Sequence, residues 1–190
     1  MARMVLNETS YFGAGCRKEV AGELARRNMK KAFVVTDKDL VKFGVAKKVT
    51  DVLDEAKVSY DIFDDVKANP TIANVKNGLA AFKKSKADVI IAIGGGSVID
   101  TAKAIGIIAE NPEFADVKSL EGTADTKNKS FPVIAFATTS GTAAEVTINY
   151  VITDKEAGRK LVCVDPNDMP LIAFNDAEML MSMPKGLTAA

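Results

Sequence analysis

The stretch that most constrains the fold is Asp88-Val89-Ile90-Ile91-Ala92-Ile93-Gly94-Gly95-Gly96-Ser97-Val98-Ile99-Asp100. Residues 89–93 carry no charge and are mostly β-branched, the pattern of a parallel strand buried on both faces. The run stops at three glycines, and a helical pattern begins directly after them. Glycine lets the backbone turn sharply and lets a ligand approach the main chain without meeting a Cβ. Ser97 suits an N-cap, and Asp100 is expected in the first turn, where a carboxylate complements the helix dipole. Strand, glycine turn and helix N-terminus together form a site for an anion, most often a phosphate. A tight βα turn in any α/β domain reads the same way. Gly94 and Gly96 supply two glycines of G-x-G-x-x-G, but Ile99 takes the third position, so that fingerprint is incomplete. No Gly-Lys-Ser/Thr of the Walker type follows.

The same alternation continues on either side. Residues 31–36, 58–63, 132–137 and 170–174 read as strands. Residues 15–28, 45–56, 71–85 and 98–109 read as helices with apolar residues at helical spacing. Short strands are expected at 4–6 and 11–12. A hairpin is expected from 146–153 and 160–164, joined through Lys155-Glu156-Ala157-Gly158. Residues 113–130 read as a polar loop with one short helical turn. Asp176 is expected to start a short helix, and residues 182–190 a further one with Pro184 in its first turn. Two turns are too few to stand alone, so the chain reads as the N-terminal part of something longer. Alternating strands and helices imply an α/β fold: a Rossmann-like, mostly parallel sheet with helices on both faces plus a β-hairpin. Ligands of such sheets sit beyond the carboxyl ends of the strands. Asp37, the glycine turn and the loop 138–142 all fall there.

Composition excludes several functions. The formal net charge of the 190 residues is zero and there is no basic block, so nothing points to nucleic acid or an anionic membrane. No apolar run reaches the length of a membrane span, and no signal-peptide core precedes residue 10. Cys16 and Cys163, far apart with no secretory signal, read as free thiols in a reducing cytoplasm. The chain has no histidine, which removes a Ser-His-Asp triad, a histidine general base and any imidazole metal ligand.

Several side chains at the strand ends have two readings each. The carboxylate of Asp37 can accept hydrogen bonds from both hydroxyls of an adenine ribose and repel a 2′-phosphate; it can equally cap a helix. Thr138, Thr139 and Thr142 can hold a second part of an extended ligand or satisfy themselves in an ST-turn. Lys160 can reach a ribose or phosphate, or be a solvated strand lysine. Asn69-Pro70 initiates a turn and can touch a ligand.

Ile93-Gly94-Gly95-Gly96-Ser97-Val98-Ile99-Asp100-Thr101-Ala102-Lys103, Asn69-Pro70-Thr71 and Thr138-Thr139-Ser140-Gly141-Thr142-Ala143-Ala144-Glu145-Val146-Thr147 resemble the iron-dependent (group III) alcohol dehydrogenases, and the similarity runs over the whole chain. The resemblance implies a dehydroquinate synthase-like N-terminal NAD-binding domain spanning residues 1–190, and a helical, metal-binding domain that this chain lacks. It implies that Asp37 contacts the adenosine ribose and selects NAD, and that Gly95, Gly96 and Ser97 hold the pyrophosphate. Thr138, Thr139 and Thr142 would meet adenine and the middle of the cofactor, and Asn69, Val151 and Lys160 would make further contacts. The family's metal ligands, one aspartate and three histidines, belong to the helical domain and have no counterpart here. Fe2+ is therefore expected only in full-length relatives, and NAD(H) binding without turnover in this chain. Relatives that this chain resembles are dimers, so self-association is expected. Two other readings stand beside this one: a non-catalytic nucleotide-binding or assembly module, and an unrelated sugar-phosphate enzyme, for which no paired catalytic base is visible.

Overall fold

The computed structural model describes residues 4–181, 183 and 185–188. Among the described residues the strands are, in chain order, β1 (Thr9–Phe12), β2 (Lys31–Val35), β3 (Ser59–Phe63), β4 (Val89–Gly94), β5 (Gly122–Thr123), β6 (Val133–Ala137), β7 (Asn149–Asp154), β8 (Arg159–Val164) and β9 (Ile172–Asn175). Six form one sheet in the order β1-β9-β6-β4-β2-β3, and every pairing in it is parallel. The other three form a small sheet, β5-β8-β7, in which β7 and β8 make the expected antiparallel hairpin. The helices are α1 (Val20–Arg26), α2 (Lys38–Lys42), α3 (Lys47–Glu55), α4 (Ile72–Ser85), α5 (Gly96–Glu110), α6 (Ala177–Leu180) and α7 (Lys185–Thr188).

Side chains of a strand alternate between faces, and here both faces are covered. Phe33, Val35, Ile90, Ala92, Val133 and Ala135 point to the layer of α4 and α5, where Val75, Phe82, Ile99 and Ile105 meet them. Val34, Ile91, Ile93, Ile134 and Phe136 point the other way, against Leu24 of α1, Val49 and Leu53 of α3 and Met179 of α6. Double burial explains the uninterrupted apolar runs of β4 and β6. The hairpin extends the first layer, inserting Tyr150, Ile152, Leu161 and Cys163 beside α5. Cys16 and Cys163 are both free thiols.

Several expectations are corrected. Residues 4–6 are not a strand; Met4 and Leu6 are exposed, and the chain enters the sheet only at Thr9, opposite Ile172. The Asn7 side-chain amide fixes that entry by donating to the carbonyls of Pro170 at 2.7 Å and Glu145 at 2.9 Å. The segment before β7 is a 3-10 turn over Ala144–Val146, because Ala143 takes a left-handed φ of 51° and breaks the extension. The loop 113–130 holds two 3-10 turns and β5 rather than one helical turn. For the expected tail helix, α7 is described, whereas Ser182, Pro184, Ala189 and Ala190 lie outside the described residues. No helix among the described residues is long and apolar enough to cross a membrane.

Candidate functional site

The sheet order sets β2, β4 and β6 side by side, so their parallel carboxyl ends open onto one edge. From β2 comes Asp37, two residues past the strand; from β4 the glycine turn; from β6 the threonine loop. Asp37 has extended backbone and caps α2, its Oδ1 accepting from the Leu40 N–H at 2.8 Å. Its other carboxylate oxygen is not used by that cap, so capping leaves an acceptor for a ligand.

The glycine turn differs from its reading in sequence. The N-cap of α5 is Gly95, not Ser97, with Gly96 as the first helical residue. Gly95 has no side chain to cap with, and the first N–H groups of a helix have no intrahelical acceptor. A helix of fifteen residues thus presents a bare N-terminus at the centre of the sheet edge. The Ser97 hydroxyl oxygen accepts from the Asn69 N–H at 3.3 Å, which leaves its O–H as a donor. The glycines are required by close approach of protein to protein. A Cβ on Gly95 would lie 2.9 Å from Thr139 Oγ1, and one on Gly96 2.6 Å from Thr142 Oγ1. A Cβ on Gly94 would meet Val98 at 2.5 Å. So Thr139 and Thr142 pack directly onto the turn, and the Thr138 N–H ties the loop to β4 by donating to Gly94 O at 3.1 Å.

Asn69 joins this group from the side, held in a left-handed conformation with φ of 56° before Pro70. The hairpin docks on the same turn: the Thr153 N–H donates to Pro70 O at 2.7 Å. Lys160 is paired with Thr153 in the hairpin register and is exposed. Val151 is reached from α5, since its N–H donates to Asp100 Oδ2 at 3.0 Å. Asp100 therefore does not sit in the first turn of α5 facing the dipole; it anchors β7. Burial pushes its carboxyl up to about 6, against the opposing pull of the Val151 N–H and of Lys103. The structure thus brings Asn69, Gly95, Gly96, Ser97, Thr139 and Thr142 together, places Asp37 and Thr138 on the flanking strand ends, and puts Val151 and Lys160 on the adjoining hairpin.

Lys103 escaped the sequence reading. Its side chain is fully buried, and its Nζ donates to the carbonyls of Ala144 at 3.1 Å, Thr147 at 2.5 Å and Asn149 at 2.8 Å. Burial lowers its pKa, while Asp168, Asp100 and Glu145 oppose that shift. Its signal was its setting: a lysine between Ala102 and Ala104 in a helix otherwise apolar from there to Ala109. On the far side of the threonine loop lies a cleft of about 360 Å³, bordered by Thr139, Gly141, Glu145, Asn175 and Leu180. Among the described residues, no group of three or more His, Cys, Asp or Glu is placed to hold a metal ion.

The family model for iron-containing alcohol dehydrogenase matches residues 7–177. The chain is 58% identical over 188 residues to lactaldehyde reductase of Escherichia coli (strain K12), a match that covers 99% of this chain and 49% of that protein. Its fold matches the crystal structure of 1,3-propanediol oxidoreductase with a TM-score of 0.94 at 36% identity, covering 100% of this chain and 49% of the other. It also matches sulfoacetaldehyde reductase from Bifidobacterium kashiwanohense in complex with NAD+, with a TM-score of 0.85 at 28% identity, covering 100% and 50%. The chain spans about half the length of the relatives it matches. A parallel sheet with the glycine turn at its central strand, and a family match over nearly all its residues, lead to one conclusion: the chain belongs to the iron-containing alcohol dehydrogenase family.

Proposed function

We propose that residues 1–190 form the NAD(H)-binding α/β unit of an alcohol or aldehyde oxidoreductase. The observation that carries this reading is the meeting of three groups on adjacent strand ends: the Asp37 carboxylate, a bare helix N-terminus and a hydroxyl-rich loop. In this reading the N–H groups at the start of α5 and the Ser97 hydroxyl bind the pyrophosphate. Asp37 accepts from the adenine ribose and disfavours a 2′-phosphate by like charge. Thr138, Thr139 and Thr142 orient the middle of the cofactor, with Asn69, Val151 and Lys160 along its flank. When bound, NAD(H) supplies the hydride exchanged with a small alcohol or aldehyde.

The described residues do not supply the ligand set of a catalytic metal. A second reading, a cofactor-binding module without turnover of its own, is favoured by that missing ligand set and by the lack of histidine. Self-association belongs to the same proposal, since β1 is an open sheet edge and Phe12 at its end is exposed. The two free thiols suit a reducing, cytoplasmic setting. The test is calorimetric titration of the chain with NADH and NADPH. Selective NADH binding is expected; binding of neither cofactor would overturn the proposal.

A further inference from the structure

Helix α5 does more than present its N-terminus. Ser97, Asp100 and Lys103 follow one another at intervals of three residues, which keeps them on one side of the helix. Each reaches a different segment: Ser97 the Asn69 turn, Asp100 the start of the hairpin at Val151, and Lys103 the stretch between the threonine loop and β7. That stretch is irregular, with a left-handed residue at Ala143, a 3-10 turn, and extended backbone at Thr147. The three bonds of Lys103 use every N–H that an ammonium has, and they converge from Ala144, Thr147 and Asn149.

From this geometry we infer that Lys103 is a positioning residue of the cofactor site: a buried internal cation that fixes the threonine loop against the glycine turn. The inference rests on the cofactor reading above. Tight tolerance makes such a clamp necessary, because Thr139 and Thr142 pack within contact distance of Gly95 and Gly96 with no room for a methyl group. A loop placed that closely needs its following segment held, and Lys103 holds it from the same helix that carries the phosphate-facing glycines. Phosphate contacts and threonine contacts therefore move as one body.

The test compares Lys103→Met, which keeps the stem and removes all three donors, with Leu53→Ala, a core change in α3 on the opposite face of the sheet. In the ligand-free chain, hydrogen exchange followed by mass spectrometry should rise about tenfold or more over residues 138–149 in Lys103→Met, with β2 and β4 unchanged. In Leu53→Ala those loop amides should exchange as in the unmutated protein. NADH affinity should fall about tenfold or more in Lys103→Met and stay within about twofold in Leu53→Ala. Exchange of 138–149 unaltered by Lys103→Met, or NADH affinity unaltered in a chain that binds it, overturns the inference and leaves the cofactor reading standing. An unmutated chain that binds no NADH overturns the cofactor reading, and with it the assigned purpose of the clamp. If Lys103→Met does not fold, the Lys103 ammonium resonance of the unmutated chain serves instead. It should be visible in slow exchange with solvent and should shift as NADH saturates; an unchanged or absent signal overturns the inference.

Discussion

Gly96→Ala puts a number on how closely the threonine loop sits on the glycine turn. The added Cβ would lie 2.6 Å from Thr142 Oγ1, 2.8 Å from its Cγ2 and 3.1 Å from its Cβ. Thr142 is branched and short, so rotation about one bond cannot clear all three contacts, and the loop must shift. Overpacking of this kind costs about 1–3 kcal/mol. Replacing glycine by alanine returns less than about 1 kcal/mol of helix propensity, and little of that in a first turn. The expected net loss is about 1–2 kcal/mol. For a chain of this size that is a fall of about 2–8 °C in Tm. Thr142→Ala removes the two closest atoms and, at an exposed position, should itself cost less than about 0.5 kcal/mol. The double variant should then be about as stable as Thr142→Ala alone, a coupling of about 1 kcal/mol or more in the cycle. Urea unfolding followed by circular dichroism measures all four proteins. Additivity to within about 0.5 kcal/mol would show that the two segments do not touch as described.

Two further outcomes follow from the same geometry. Asp37→Gly should narrow the preference for NADH over NADPH by about tenfold or more by removing a like charge from a 2′-phosphate. Its effect on stability should be only a few tenths of a kcal/mol, because glycine is a tolerable N-cap; an unchanged cofactor ratio in titrations would remove Asp37 from the ribose site. Asp168 is buried, and neither carboxylate oxygen has a hydrogen-bond partner among the described residues. Burial pushes its pKa up to about 8 despite the nearby Lys103. A carboxyl raised in the folded state contributes stability that is complete below its unfolded pKa and is lost as pH rises through the folded one. Stability should therefore fall between about pH 4 and pH 8, and Asp168→Asn, which mimics the protonated form, should flatten that slope and be the more stable protein above pH 8. Chemical unfolding across that range checks it; a parallel pH profile for the variant would refute the assignment.

Much of this architecture is legible in the amino-acid sequence. β4 and β6 announce themselves because burial on both faces removes the polar alternation that would hide a strand among helices. Asp37, the glycine turn and the threonine loop are legible for a simpler reason: each follows directly on such a strand. What stayed hidden depends on partners distant in sequence. The apolar triplet at 4–6 looks like a strand, but no neighbouring edge receives it. Ser97 has the composition of a cap, yet its hydroxyl is drawn to Asn69, twenty-eight residues earlier. Asp100 reads as a first-turn carboxylate and Lys103 as no more than part of a motif, and only the hairpin folded over α5 makes them internal anchors. Local chemistry names the elements; the tertiary path decides what each polar group does.

The pairing of β1 with β9 has a consequence for synthesis. Among the described residues β1 has a single neighbour in the sheet, and that neighbour, β9, is made after the other five strands of that sheet. While β2, β3, β4 and β6 emerge from the ribosome they can already pair with one another, but β1 has no edge to join until residue 175 has been translated. Asp176 then closes the join, accepting from the Gly15 N–H at 2.9 Å and from Arg17 at 2.8 Å. Contacts across such a sequence separation form late, since the loop must close before any bond rewards it. The nascent chain therefore carries β1 unpaired until residue 175 has been made, and that interval is when a chaperone has most to protect.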